Sequence, residues 1–302
     1  MATGVVIVTY NRKDKLIKAL KCFDEQTLLP DYMLIVNNAS TDGTRELLSD
    51  WKKKESNYQK IVINMDSNAG GSGGFHRGLE EASKLSADWV WVSDDDAFPE
   101  KDALQLADNY IKENNGKNIS AICGAVINND KIDLAHRKKT VKSGSRIKFV
   151  ACELSEYQKK SFRLQLFSYV GTIINVGKMK EVGTTNKEFF IWFDDSEHSL
   201  RLSKSGSIIC IPEIRIHHDV GYQEQGVSWK SYYGIRNEIY TVRELFDTKT
   251  SFMYTCNSFL HSLKHFLLPK THLRGKLELI GIQDGKKGKL GIHDVYKPGW
   301  RP

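Results

Sequence analysis

Four short apolar runs, residues 4–9, 32–36, 61–64 and 89–92, alternate with stretches of helical character at 13–23, 44–54 and 75–85. Short continuous apolar runs read as strands buried on both faces, and strands separated by single helices read as a doubly wound, mostly parallel α/β sheet with right-handed crossovers. In such sheets ligands bind outside the carboxyl ends of the strands. Chemistry is therefore expected where the runs stop. The fourth run ends at Asp94, Asp95 and Asp96. Adjacent carboxylates repel one another unless a cation lies between them, and a divalent metal with oxygen ligands meets that need while leaving room for substrate phosphates. An acidic loop or a helix N-terminus would account for the triplet taken alone.

Three further clusters fall at element ends. Between the third strand and its helix lies Asn68-Ala69-Gly70-Gly71-Ser72-Gly73-Gly74. Its glycines let backbone approach a ligand closely and present amide N–H groups to negative charge. The spacing is neither that of a dinucleotide fingerprint nor that of a P-loop. Residues 189–193 read as an aromatic strand that delivers Asp194 and Asp195 to the start of a helix, with Ser196, Glu197 and His198 following. Aromatic faces beside a carboxylate suit sugar binding and proton removal, and N-capping would explain one of the two acids but not both. Residues 214–219 form a short strand ending in His217 and His218, and a neutral imidazole is a common metal ligand.

The 302 residues suit one large domain with an appendage, here 1–245 followed by a helical extension over 246–302. The nucleotide half is expected at about 1–125 and the acceptor half at about 126–245. Residues 128–145 read as an exposed excursion, a hairpin. The five cysteines have no metal-ligand spacing, and no basic segment precedes the first strand, so a reducing, cytoplasmic setting is expected. From Asp247 onward ten basic residues face four acids, giving about +6 of the chain's net charge of +7. Phe252, Phe259, Leu260 and Leu267 interleave with that charge, as on an anionic membrane surface. A packing face against another copy of the chain is the alternative. No nucleic-acid recognition motif accompanies the charge.

In order and content the four clusters resemble the family 2 inverting glycosyltransferases of the GT-A fold. The resemblance covers roughly residues 5–243. It rests on V-V-I-V-T-Y-N-R (5–12), V-N-N-A-S-T-D-G-T (36–44), the D-D-D triplet and F-D-D-S-E (193–197). Within that family N-A-G-G-S-G-G-F (68–75), W-F-D-D-S-E-H-S-L-R (192–201) and W-K-S-Y-Y-G-I-R-N-E (229–238) look most like bacterial galactofuranosyltransferases. Phe193 stands where those enzymes have a tryptophan, with Trp192 one place earlier.

The resemblance implies a metal-dependent transfer of galactofuranose from its uridine-diphosphate donor to a glycan or lipid-linked glycan. Thr9, Tyr10, Asn11, Arg12, Asn38, Asn68, Gly70, Gly71, Asp94 and Asp95 would bind the donor. Asp94, Asp96 and His218 would hold Mn²⁺ or Mg²⁺, His218 being preferred over His217 by strand alternation and by its H-x-x-G spacing to Gly221. Asp195 would be the general base, and Trp192, Asp194 and Glu197 would receive the acceptor. The enzyme would work on the inner face of the cytoplasmic membrane. Rhamnosyl or other hexosyl transfer is the first alternative. A nucleotidyltransferase is more distant, because no basic glycine-rich loop follows the first strand, and a non-catalytic carbohydrate binder is equally remote.

Overall fold

The computed structural model describes residues 2–220 and 226–301. Its first half runs β1 (Thr3–Thr9), α1 (Lys13–Asp24), β2 (Tyr32–Asn37), α2 (Thr44–Lys53), β3 (Gln59–Asn64), α3 (Gly70–Ala82), β4 (Trp89–Asp94), β5 (Ala97–Pro99), α4 (Ala103–Glu113), β6 (Ile119–Asn128) and β7 (Lys131–Ile132). Then come β8 (Arg137–Ser143), β9 (Arg146–Ala151), β10 (Phe162–Leu164), β11 (Leu166–Phe167), β12 (Thr172–Asn175), α5 (Val176–Val182), α6 (Asp194–Ser205) and β13 (Ser207–His218). Three helices follow: α7 (Lys230–Leu245), α8 (Thr248–Leu267) and α9 (His272–Lys287).

The main sheet has ten strands, eight of them in the order β10-β13-β6-β12-β4-β1-β2-β3. The β4-β1-β2-β3 half is wholly parallel, and β6 is parallel to β13. Between these two parallel parts β12 is inserted antiparallel to both β4 and β6. The doubly wound architecture follows from the residues of β1. Val5 and Ile7 enter one buried cluster with Leu16, Phe23 and Trp91, while Val6 and Val8 enter another with Leu34, Phe75 and Leu79. A strand covered on both faces has no polar side to alternate, hence the continuous apolar run.

Two expected elements differ. The glycine-rich segment is not a loop ahead of a helix at 75–85, because α3 itself begins at Gly70. The glycines serve packing first: a Cβ on Gly74 would lie 2.5 Å from Val8 Cγ1, and one on Gly78 would lie 2.6 Å from Val6 Cγ1. Helix and sheet therefore approach more closely than any side chain allows. The excursion at 128–145 is indeed a hairpin, β8–β9, turning at Gly144, but it runs on to Ala151 and pairs β8 with β11. Its base is not exposed. Arg137 is fully buried and donates to the carbonyls of Gly124 and Val170 at 2.9 and 2.7 Å.

The C-terminal helices pack on one another and on the segment before α6 through Phe190, Tyr232, Tyr233, Leu277 and Tyr296. Helix α8 is unusual, since its only fully buried residues are Thr250 and Ser262. Phe252, Phe259, Leu260 and Leu267 are exposed along it. Among the described residues no helix is long and apolar enough to cross a membrane.

Candidate active site

The acid triplet closes β4, and its three carboxylates fan apart. Asp95 accepts from Thr9 Oγ1 at 2.7 Å. Asp96 meets Arg12 and lies 3.4 Å from His218 Nε2, because β13 pairs with β5 at His218–Ala97. Asp94 lies near Asp194 across the crevice, close enough for the second acid to raise its pKa. Burial pushes Asp94 well above the usual carboxylate range, with Asp96 and Asp95 adding to the effect. Burial also lifts Asp95 to about 6. For Asp96 the burial penalty is outweighed by His218 and Arg12, and its pKa falls. His217 points away and meets Glu100 at 3.0 Å.

This group fits a divalent cation in composition. Among the described residues His218 Nδ1 is buried without a hydrogen-bond partner, and carboxylates with one imidazole are a donor set that Mn²⁺ accepts. The donors are not yet gathered. Among the described residues the one trio of donor atoms lying within 4.8 Å of one another is His261, His265 and Glu278, far along the chain, and not Asp94, Asp96 and His218. Gly221, which set the histidine spacing, lies outside the described residues.

The expected donor residues divide into those that face the crevice and those that shape it. Tyr10 is exposed, and Arg12 extends over the acids. Gly71 has open space where a Cβ would stand. Asn38 is otherwise occupied: its Nδ2 donates to Asn68 Oδ1 and Gly70 O, and its Oδ1 accepts from Ala69 N–H. Asn68 Oδ1 also accepts from Gly70 N–H at 2.8 Å. Both asparagines thus build the turn into α3. Asn11, at φ 52°, accepts from Thr41 N–H and joins the ends of β1 and β2.

The segment before Asp194 is not a strand. Lys187–Phe189 forms a single 3-10 turn, and Phe190, Trp192 and Phe193 adopt φ of 66°, 64° and 68°. Bulky residues in the left-handed region cost roughly 1–3 kcal/mol each and persist only where the surroundings enforce them. Here the enforcement comes from α7. Asn237 Nδ2 reaches the carbonyl oxygens of Phe189, Ile191 and Trp192 at 3.1, 3.1 and 2.8 Å. Arg236 donates to Phe189 O at 2.9 Å and to Gly291 O at 2.6 Å, with its guanidinium over the rings of Tyr232 and Tyr233. Both clamp residues are buried. The motif at 229–238 contains them, but spacing alone gave them no role.

This clamp starts α6 at two acids, neither spent as an N-cap, since Phe193 holds that position. Asp195 Oδ1 accepts from Ser196 N–H, and the side chain lines a cavity of about 360 Å³ with Lys138, Phe149, Trp192 and Glu238. Trp192 lies against α7 where Gly234 has no side chain; a Cβ there would sit 3.1 Å from its ring. Asp194 is not in this cavity. Its carboxyl faces the Ser72 hydroxyl of α3, on the donor side, and burial together with Asp195 raises its pKa to about 8. Burial also raises Asp195, opposed by Ser196 and Lys138. Burial thus raises both carboxyls of the pair. Glu197 also departs from the expected acceptor position: Arg201 grips both of its oxygens at 2.7 Å.

A ten-stranded mixed sheet, a carboxylate fan at the end of β4 and an acid-bearing cavity beside it form one crevice at the strand ends. A family model of glycosyl transferase family 2 matches residues 4–175, and the chain belongs to that family. Over 104 residues it is 36% identical to galactofuranosyltransferase GlfT1 of Mycobacterium tuberculosis, a match that spans 34% of this chain and only 32% of that protein. It is 24% identical over 303 residues to dTDP-rhamnosyl transferase RfbF of Shigella flexneri, covering 95% of this chain and 96% of the relative. Among solved structures, GalNAc-T7 with UDP, GalNAc and Mn²⁺ superposes with a TM-score of 0.66 at 17% identity, over 95% of this chain and 54% of the other. S. aureus TarS in complex with UDP superposes at 0.56 and 13% identity, over 100% and 98%. The fold is GT-A.

Proposed function

We propose that the chain is a metal-dependent inverting glycosyltransferase that moves galactofuranose from a uridine-diphosphate donor to a hydroxyl of a glycan or lipid-linked glycan. The observation that carries this reading is the position of Asp195. It stands in the cavity wall while its neighbour Asp194 faces the donor side, so one helix start joins the two substrates.

In this reading Arg12 leaves the acids to meet the donor diphosphate, as its fork of donors suits. Tyr10 packs on the nucleoside, and Gly71 lets α3 approach it. Asp94, Asp96 and His218 hold the metal. The chemistry a divalent cation supplies there when bound is neutralisation of charge on the departing diphosphate. Asp195 takes the proton of the acceptor hydroxyl as it attacks the opposite face of the sugar, so a single displacement inverts the anomeric centre. Asp194, whose pKa burial and Asp195 raise, faces the donor side beside Ser72. Trp192 is the flat apolar platform for the acceptor.

The partial likeness to the galactofuranosyltransferase and the shared motifs favour galactofuranose. The likeness along nearly the whole chain to a rhamnosyl transferase supports a second reading, rhamnosyl transfer from a thymidine-diphosphate donor. Attachment to an anionic membrane surface at the cytoplasmic face is supported by α8. Its exposed apolar residues border an apolar cavity of about 690 Å³ whose lining includes the cations Arg243 and Lys286. Purified protein incubated with uridine- and thymidine-diphosphate sugars, including the furanose form of galactose, tests the assignment. Chelator-sensitive consumption of UDP-galactofuranose is expected. Consumption of dTDP-rhamnose alone selects the second reading, and release of nucleotide from no donor refutes both.

A further inference from the structure

Glu238, the last residue of the 229–238 motif, projects from α7 into the same cavity as Asp195. Among the described residues its one hydrogen-bond partner is the Tyr254 hydroxyl, which donates to Oε1. Tyr254 belongs to α8 and reaches the site over the hairpin. Its ring lies 6.0 Å from Phe149 of β9, which itself lies 5.9 Å from Phe193. A carboxyl drawn out of water is costly unless something pairs with it, and burial raises the pKa of this one. Lys138, across the cavity, is the cation that opposes that rise. Among the described residues no ion pair satisfies Glu238, and its second oxygen is left for whatever enters. The wall also presents aromatic faces: Phe149, Phe193 and the half-exposed Trp192. Carboxylate oxygens between aromatic faces suit a polyhydroxylated ring, whose hydroxyls donate while its C–H faces stack.

We propose that Glu238 binds the acceptor sugar by accepting hydrogen bonds from its hydroxyls, and that Tyr254 of α8 holds the carboxylate in place for this. The word acceptor rests on the glycosyltransferase reading, whereas the sugar contact does not. Glu238 differs from Asp195 in its support. Asp195 is fixed by a backbone N–H at the start of its own helix, whereas Glu238 is fixed by a side chain from another helix, α8. Acceptor choice is thereby assigned to α8 as well as to the sheet.

Two measurements test this together. In the first, octyl glycosides of galactose and of rhamnose are titrated, without donor, against the tryptophan fluorescence of the wild-type protein and of Trp192→Phe, Glu238→Gln and Tyr254→Phe. Saturable quenching is expected in wild type and absent from Trp192→Phe, with affinity lowered about tenfold to a hundredfold in Glu238→Gln and less in Tyr254→Phe. In the second, turnover with the preferred donor is expected to give a higher KM for the glycoside in both variants, with kcat and donor KM within about threefold of wild type. UDP binding and thermal melting report whether each variant is folded. Wild-type quenching without transfer would refute the transferase assignment and leave this contact standing. No wild-type quenching, unchanged affinity in Glu238→Gln, or a large fall in kcat at constant KM would each overturn it.

Discussion

The proposed donor side and the proposed acceptor side of this crevice are built by different means. On the donor side every functional position lies at the end of a regular element: Thr9 and Arg12 after β1, Asn38 after β2, Gly71 in the first turn of α3, and the acids after β4. The partners that fix them come from neighbouring strand ends, as in Thr9–Asp95 and Asn38–Asn68. On the acceptor side the backbone from Phe190 to Phe193 is irregular, and its shape is imposed by Arg236 and Asn237 from far along the chain. The comparison teaches that a parallel sheet supplies a nucleotide wall almost for nothing, whereas a proton acceptor beside it must be held by long-range contacts.

The largest test of that difference removes the base. Asp195→Asn keeps the shape and loses the proton acceptor, so turnover should fall by about two to four orders of magnitude while UDP affinity stays unchanged. Steady-state rates and UDP titration check this, and a loss of UDP affinity with normal saturated turnover would move Asp195 to the donor side. Next comes the clamp. Asn237→Ala leaves three carbonyls without their shared donor and should cost about 2–4 kcal/mol in denaturant melts. Its kcat should drop more than its UDP affinity, and equal losses in both would contradict the division drawn here.

How far each side could be read follows from the same contrast. The positions of β1, β2 and β4 were legible because doubly covered strands leave continuous apolar runs with abrupt polar ends. Residues 189–193 were misread as a strand because aromatic content favours β structure, and nothing local reveals that Asn237 will claim their carbonyls. Glu238 went unassigned for a similar reason. On a helix the apolar periodicity marks the packed face, and a lone acid gives no sign of which cavity it enters. Asp194 and Asp195 were found together, but their adjacency gave no sign that Asp195 lines the cavity while Asp194 faces Ser72.

Smaller effects sharpen the donor half. Gly74→Ala places a methyl group 2.5 Å from Val8 Cγ1 and should destabilise the fold by about 1–3 kcal/mol. Gly71→Ala meets nothing in the fold and should change stability by less than about 1 kcal/mol, yet raise the donor KM severalfold. Melting curves and donor kinetics on the two variants separate packing from ligand approach. The smallest effect concerns pH. Asp194 has its pKa raised to about 8 by burial and Asp195, so the stability tied to its protonated form is lost as pH rises towards 8. Asp194→Asn escapes that loss, and its melting temperature should exceed that of wild type by more at about pH 9 than at about pH 5. An equal gap at both values would mean that Asp194 ionises normally.

The brace on the catalytic turn also sets an order in time. Residues 3–96 hold the strands and acids of the donor wall, apart from His218. The turn at 189–193 is laid down later, and its supports later still: Arg236 and Asn237, then Leu277, then the carbonyl of Gly291 and the ring of Tyr296. In a chain made from its N-terminus, the strands that carry the acid triplet therefore exist well before the residues that brace the turn at 189–193.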